Sequence, residues 1–173
     1  MIVGIDPGVT GALGVIDRYG DYVDVIDMPV MSTLTNFKKT GNRKTKKKVD
    51  GSELRSILLE IQSKSNRQLK VFMEMQAPMP GQGSNSGFSI GHTLGTIEGV
   101  LQALSITYHL FSPMDWKKYF KLTRKNKEET ITVIKERSMM LVRQLHPNAP
   151  IELKKHHNRA EALLIATYGR ITY

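Results

Sequence analysis

Hydrophobic and polar positions divide this chain into alternating strand and helix signals. Ile2 to Asp6 is a short apolar run broken by Pro7-Gly8, and Ala12 to Asp17 is another, so the opening reads strand, turn, strand. Tyr22 to Met28 is a third strand candidate. Residues 31–49 are polar and basic and predict a loop, long enough to be functional or disordered. Asp50-Gly-Ser-Glu53 has the form of a helix start, and Leu54, Ile57, Leu58 and Ile61 carry on at helical period. Leu69 to Met75 predicts a buried strand, Phe88 to Leu104 a helix and Ile106 to Phe111 a strand, with a Pro- and Gly-rich loop over 77–87. Further helices are expected over Lys127 to Leu145 and Asn158 to Ile171. No repeat or linker divides residues 1–173, so a single domain is expected. Antiparallel-capable strands followed by β-α units indicate an α/β fold, a mixed five-stranded sheet with helices packed on it.

Composition narrows the function classes. The chain is 40% hydrophobic and 24% charged, ordinary for a globular protein. No apolar run approaches the roughly 20 residues of a membrane span, and Asp6, Pro7 and Gly8 interrupt the first apolar stretch, so no signal peptide is expected. Cysteine is absent, which excludes disulfides, thiolate metal sites and cysteine nucleophiles and suits a reducing cytoplasm. Twenty-five Lys and Arg against 16 Asp and Glu give a net charge of +9. A field of that sign attracts polyanions, with nucleic acid the leading partner and an anionic membrane surface second. The plainer account is a soluble surface that happens to be basic. Lys38, Lys39, Arg43, Lys44, Lys46, Lys47 and Lys48 crowd the 31–49 loop and are its candidate phosphate contacts.

Three acids stand where chemistry is done. Asp6 ends the first strand, before a Pro-Gly turn; its plainer role is a turn former. Glu74 ends the Val71-Phe72-Met73 run, where an acid is costly to bury unpaired and otherwise leans into solvent at a strand edge. Glu161 lies in the first turn of the last helix, with Asn158 three and His157 four residues before it, and there an acid also complements the helix dipole. Together they form an oxygen donor set suited to Mg²⁺ or Mn²⁺, and two such ions can clamp an in-line displacement at phosphorus without a protein nucleophile. Gly91, Gly95 and Gly99 make a bare stripe on the helix after Glu74, facing either its own sheet, a dimer-mate helix or DNA.

The opening Met-Ile-Val-Gly-Ile-Asp6-Pro-Gly-Val-Thr-Gly resembles that of the RuvC family of Holliday-junction resolvases. The strand ending in Glu74 is similar to the family's second acidic position, and Arg159-Ala-Glu161-Ala-Leu-Leu-Ile-Ala to its last helix. Pro113-Met-Asp-Trp-Lys117 and Lys127 match its Pro-x-x-x-Lys segment and later lysine. The loop Met79-Pro-Gly-Gln-Gly83 looks like the phage and organelle branch. This resemblance implies an RNase H-like fold with helices on both faces of the sheet. It implies a homodimer that binds a four-way DNA junction and nicks two opposed strands, with Mg²⁺ or Mn²⁺, two ions per active site. Asp6, Glu74 and Glu161 then hold metal. Lys117 and Lys127 contact DNA or stabilise the transition state, and Gln82 joins the DNA contacts. The setting implied is the cytoplasm of a bacterial or phage-infected cell, or an organelle.

One departure concerns the family's fourth ligand, three or four residues before the last acid and most often Asp. Here those positions hold Asn158 and His157. His157 offers neutral imidazole to metal or accepts a proton from water, whereas Asn158 offers a neutral oxygen or marks a lost charge. Other functions compatible with the pattern are a different RNase H-like nuclease, acting on flaps or RNA–DNA hybrids, and a junction-binding protein that does not cut. A sugar-kinase or actin-like ATPase shares the Gly4-Ile-Asp6-Pro-Gly8 form but needs two such domains.

Overall fold

The first two strands, β1 (Ile2–Asp6) and β2 (Ala12–Ile16), are buried throughout and pair antiparallel with Gly4 opposite Gly14. The computed structural model describes residues 1–35, 44–66, 68–78 and 81–173. After β3 (Tyr22–Asp27) come β4 (Val30–Thr35) and β5 (Lys44–Val49), then α1 (Gly51–Lys64), β6 (Lys70–Glu74) and α2 (Ser84–Ala103). The chain continues through β7 (Tyr108–Phe111), α3 (Pro113–Tyr119), α4 (Ile131–Leu145) and α5 (His157–Thr172). The main sheet runs β3-β2-β1-β6-β7, with β1, β6 and β7 parallel and β2 antiparallel to its neighbours. Parallel neighbours need crossovers, and α1 and α2 supply them.

Alternation along the strands separates two apolar layers. Val3, Ile5, Leu13, Val15, Val71 and Met73 pack against Leu54, Leu58 and Ile61 of α1 and Ile97 and Leu101 of α2. Ile2, Ile16, Phe72 and Phe111 face the other way, onto α5 and onto Trp116 of α3 and Met139 and Val142 of α4. Helices therefore cover both faces, which is why these strands read as continuous apolar runs rather than as alternating ones.

The contact between α5 and the sheet is unusually close. A Cβ added at Gly4 would lie 2.2 Å from the carbonyl oxygen of Ala162, and one at Gly14 would lie 2.5 Å from the amide nitrogen of Leu163. Paired glycines on neighbouring strands thus let the helix backbone rest on the strand backbones, with Ala162 and Ala166 against Gly4. The helix start is clipped to β3 by Arg159, whose Nε and Nη2 donate to the two Asp27 carboxylate oxygens at 2.6 and 2.7 Å.

Four features differ from the pattern-based expectation. Within 31–49, expected as a loop, β4 and β5 form a separate two-stranded antiparallel ladder in which Val30 pairs with Val49 and Ser32 with Lys47. Its backbone bonding does not require an apolar face, so period-2 hydrophobicity gives no sign of it; Thr33, Thr35 and Thr45 supply β-branched backbone preference instead. Lys38, Lys39 and Arg43 lie outside the described residues. Helix α4 starts at Ile131, not Lys127: the Asn126 side chain accepts from the amides of Glu128 and Glu129 in a turn, and Thr130 caps the helix by accepting from Val133. Helix α3 is an addition, set by the Ser112 cap and Pro113 at its first position. The own-sheet account of the α2 glycines does not hold, because a Cβ at Gly91, Gly95 or Gly99 would meet nothing within 4 Å. Among the described residues no helix is long and apolar enough to cross a membrane.

Replacing Gly4 by Ala should push α5 off the sheet and lower stability by about 1–3 kcal/mol or more, the usual cost of overpacking. Thermal unfolding checks this; an unchanged melting temperature would show that the contact can relax at no cost.

Candidate active site

Asp6 and Glu74 are brought together by strand register. Ile5 pairs with Met73 on adjacent parallel strands, so the two acids follow at neighbouring carboxyl ends. Both fall on the α5 face, Asp6 two residues after Gly4 and Glu74 two after Phe72. Glu161 precedes Ala162, the residue whose backbone touches Gly4, and so hangs over the same strand ends. The three acids line one cavity of about 850 Å³, along with Lys117, Arg124, Lys135, His157 and Asn158. This is the crevice at the carboxyl ends of strands where open α/β sheets bind ligands.

The electrostatics follow from burial. Asp6 is only 8% exposed, and its carboxyl is held well above the usual range, first by desolvation and then by the charges of Glu161 and Glu74, against the pull of Lys117 and Lys135. Glu74 is also pushed up, again chiefly by desolvation, although Lys117 and a hydrogen bond from Trp116 oppose the shift. That bond runs from the buried indole Nε1 to Glu74 Oε2 at 2.8 Å. Lys117 Nζ stands 3.7 Å from Glu74 Oε2 and 3.8 Å from Glu161 Oε2, and 4.7 Å from the centre of the Trp116 ring. One short helix thus presents both of the groups that favour the ionised form of Glu74.

The turns around the cavity are tied to one another. Gln76 donates to the Pro7 carbonyl, and Asn158 Nδ2 donates to the Thr10 carbonyl. The Asn158 bond requires an amide, since a carboxylate there would face a carbonyl oxygen. His157 contacts Lys135 Nζ through Nε2 at 2.8 Å and the Lys154 carbonyl through Nδ1 at 3.3 Å. His156 points elsewhere, its Nδ1 accepting from the Leu153 amide.

Of the residues singled out from sequence, Asp6, Glu74, Glu161, Lys117, His157 and Asn158 share the cavity. Lys127 sits in the turn before α4 and is not among the residues lining it, nor is the exposed Gln82. Lys46, Lys47 and Lys48 line an adjoining groove with Phe88, and Ser89 and Thr93 belong to both surfaces. Sequence reading missed Lys135, Arg124 and the Trp116 hydrogen bond. The tryptophan carried a signal, being the single indole and adjacent to Lys117; the two cations carried none.

Among the described residues no three His, Asp or Glu side chains stand at metal-ligand spacing. The positive charge between Glu74 and Glu161 is that of Lys117. The donor set nevertheless suits a hard divalent cation: three carboxylates line one cavity, and burial pushes two of them toward protonation.

No family model matches this chain, and no curated protein matches it. Solved structures do. It is similar to RuvC of Thermus thermophilus, with 17% identity and a TM-score of 0.50 over 98% of this chain and 95% of that one. It is also similar to T. thermophilus RuvC in complex with a Holliday junction substrate, with 18% identity and a TM-score of 0.57 over 98% and 94%. The chain therefore has the RNase H-like α/β fold of RuvC.

Because the folded state favours protonated Asp6, ionising it costs stability. The cost is absent below the ordinary carboxyl value of 3.8, grows as pH rises toward the raised value in the fold, and persists above it. Asp6→Asn should then melt higher than the parent at pH 7 in metal-free buffer, with the gap narrowing toward pH 4. A lower melting temperature, equal at both pH values, would mean that the carboxylate is a net support of the fold.

Proposed function

We infer that this chain is a structure-selective, divalent-metal-dependent endonuclease that resolves four-way DNA junctions. The observation that carries this reading is the convergence of Asp6, Glu74 and Glu161 on one cavity, on a fold whose similar structures include RuvC in complex with a Holliday junction substrate. In this reading Mg²⁺ or Mn²⁺, two per site, would supply Lewis-acid chemistry toward the attacking water and the leaving 3′-oxygen. Asp6, Glu74 and Glu161 would hold the ions, and the raised protonation tendency of Asp6 and Glu74 would be relieved by the added positive charge. Trp116 fixes one oxygen of Glu74 and leaves the carboxylate a single orientation. Lys117 remains beside the acids as a further positive group toward the phosphate. Asn158, already bonded to Thr10, keeps the first turn closed over the strand ends.

The basic strand β5 extends this surface. Lys46 and Lys47 are exposed and, with Lys48, adjoin the cavity through Ser89 and Thr93. They hold DNA by its phosphates rather than by base edges. A homodimer completes the reading: a junction presents two opposed strands, and α2 offers a bare face of Gly91, Gly95 and Gly99 beside Phe88, which is 70% exposed.

Asp6→Asn, Glu74→Gln and Glu161→Gln should each abolish Mg²⁺-dependent cutting of a labelled four-way junction while junction binding survives. Duplex, flap and RNA–DNA hybrid serve as competing substrates; cutting of a hybrid or flap in preference to the junction would replace this reading with another nuclease, and binding without cutting would replace it with a junction-binding protein. Neutralising Lys46, Lys47 and Lys48 together should weaken binding to all sequences and lower the salt slope by roughly 2–3. An unaltered slope would remove β5 from the DNA surface.

A further inference from the structure

Two lysines reach the acid cavity, and they are held differently. Lys117 lies within ion-pair distance of two carboxylates. Lys135, half-buried on the second turn of α4, makes no ion pair among the described residues. Its partner is an imidazole, with Nζ 2.8 Å from His157 Nε2. An ammonium only donates, so Nε2 is the unprotonated, accepting nitrogen. A carbonyl only accepts, so Nδ1, 3.3 Å from the Lys154 oxygen, carries the proton. The two contacts define one neutral tautomer whose lone pair is spent on Lys135.

That arrangement conflicts with a ligand role for His157. A metal would need the bare nitrogen, and the ammonium already there would repel it at close range. A cation aimed by a neutral group into a cavity of acids keeps its full charge for an incoming anion, because no carboxylate within ion-pair distance neutralises it. Ile131 and Ile134 of the same helix line the cavity with it and lower the local dielectric, which strengthens such a contact.

We propose that Lys135 is the group that grips the DNA phosphate entering this cavity, and that His157 is its positioning residue. The inference rests on the nuclease reading and names the cation that acts for that site. It differs from Lys127, which stands in the preceding turn outside the cavity lining.

Binding in EDTA separates the inference from cutting. Lys135→Met should bind the junction roughly tenfold more weakly, as expected for loss of a charged hydrogen bond, and with a salt slope lower by about 1. A neutral methylphosphonate at the scissile position should weaken the parent protein but add little to Lys135→Met, the non-additivity of two partners in one contact. In single-turnover cutting with Mg²⁺, His157→Leu should fall toward the level of Lys135→Met, and the double variant should be no slower than the slower single one. His157→Gln, whose carbonyl can accept from Lys135, should recover much of the rate. Nitrogen-15 NMR of the free protein, which also reports folding of each variant, should show the Nδ1-protonated tautomer. Parent-like binding and salt slope in Lys135→Met would overturn the proposal, as would the Nε2-protonated tautomer or a further loss when His157→Leu is added to Lys135→Met. If the parent cuts no branched substrate, the nuclease reading fails, while the binding comparison in EDTA still decides whether Lys135 holds a phosphate.

Discussion

The backbone contact between α5 and the glycines of β1 and β2 governs the rest of this molecule. A side chain at Gly4 or Gly14 would collide with the helix backbone itself rather than with a movable group. Since Ala162 touches Gly4, the preceding Glu161 is set beside Asp6, two residues farther along the strand. The same helix start carries His157 and Asn158 to the cavity wall, and Arg159 anchors it to Asp27 of β3. Helix packing and site assembly are therefore a single event: lifting the helix would part the acids and expose the core together.

Assembling those acids opposes folding. Asp6 and Glu74 lose water and face further negative charge, Asp6 that of Glu161 and Glu74 and Glu74 that of Glu161, and the countermeasures are unequal. Glu74 has an indole donor and an ammonium close by. Asp6 is relieved by Lys117 and Lys135, neither within ion-pair distance of it. A fold selected for stability alone would place apolar side chains at these strand ends, as it does at Val71, Phe72 and Met73 just before Glu74. Desolvation is the largest part of that cost for both acids, and the turns around them are joined through Gln76 to Pro7 and Asn158 to Thr10.

The cations divide by what they touch. Lys117 shares α3 with Trp116 and belongs to the carboxylates, whereas Lys135 leans on a neutral histidine from a different helix. Two lysines of like charge on one cavity would otherwise be interchangeable. Lys117 stands within ion-pair distance of two carboxylates, whereas Lys135 acts on Asp6 from beyond that distance and keeps its charge for an anion.

Much of this was legible in the chain itself. Apolar runs broken at Asp6 and Glu74 announced acids at strand ends, because a buried parallel strand tolerates a charge only where it stops. Helical period located α1 and α5, and the order of elements implied a mixed sheet. The ladder of β4 and β5 was not legible, since strands without an apolar face leave no periodic trace. Nor was the start of α4, where Asn126 and Thr130 compete locally and only the Thr130 cap begins the helix. Lys127, singled out by its match to the family's later lysine, stands outside the cavity lining that Lys135 belongs to. His157 shows the limit most clearly. Spacing placed it one helical turn from Glu161, a correct local inference, but its partner Lys135 lies 22 residues away on another helix. Local sequence determines which face of an element a side chain occupies, through periods of 2 and 3.6. Which nitrogen meets which cation is decided only when two helices pack, because that contact depends on distances between segments that no local period encodes.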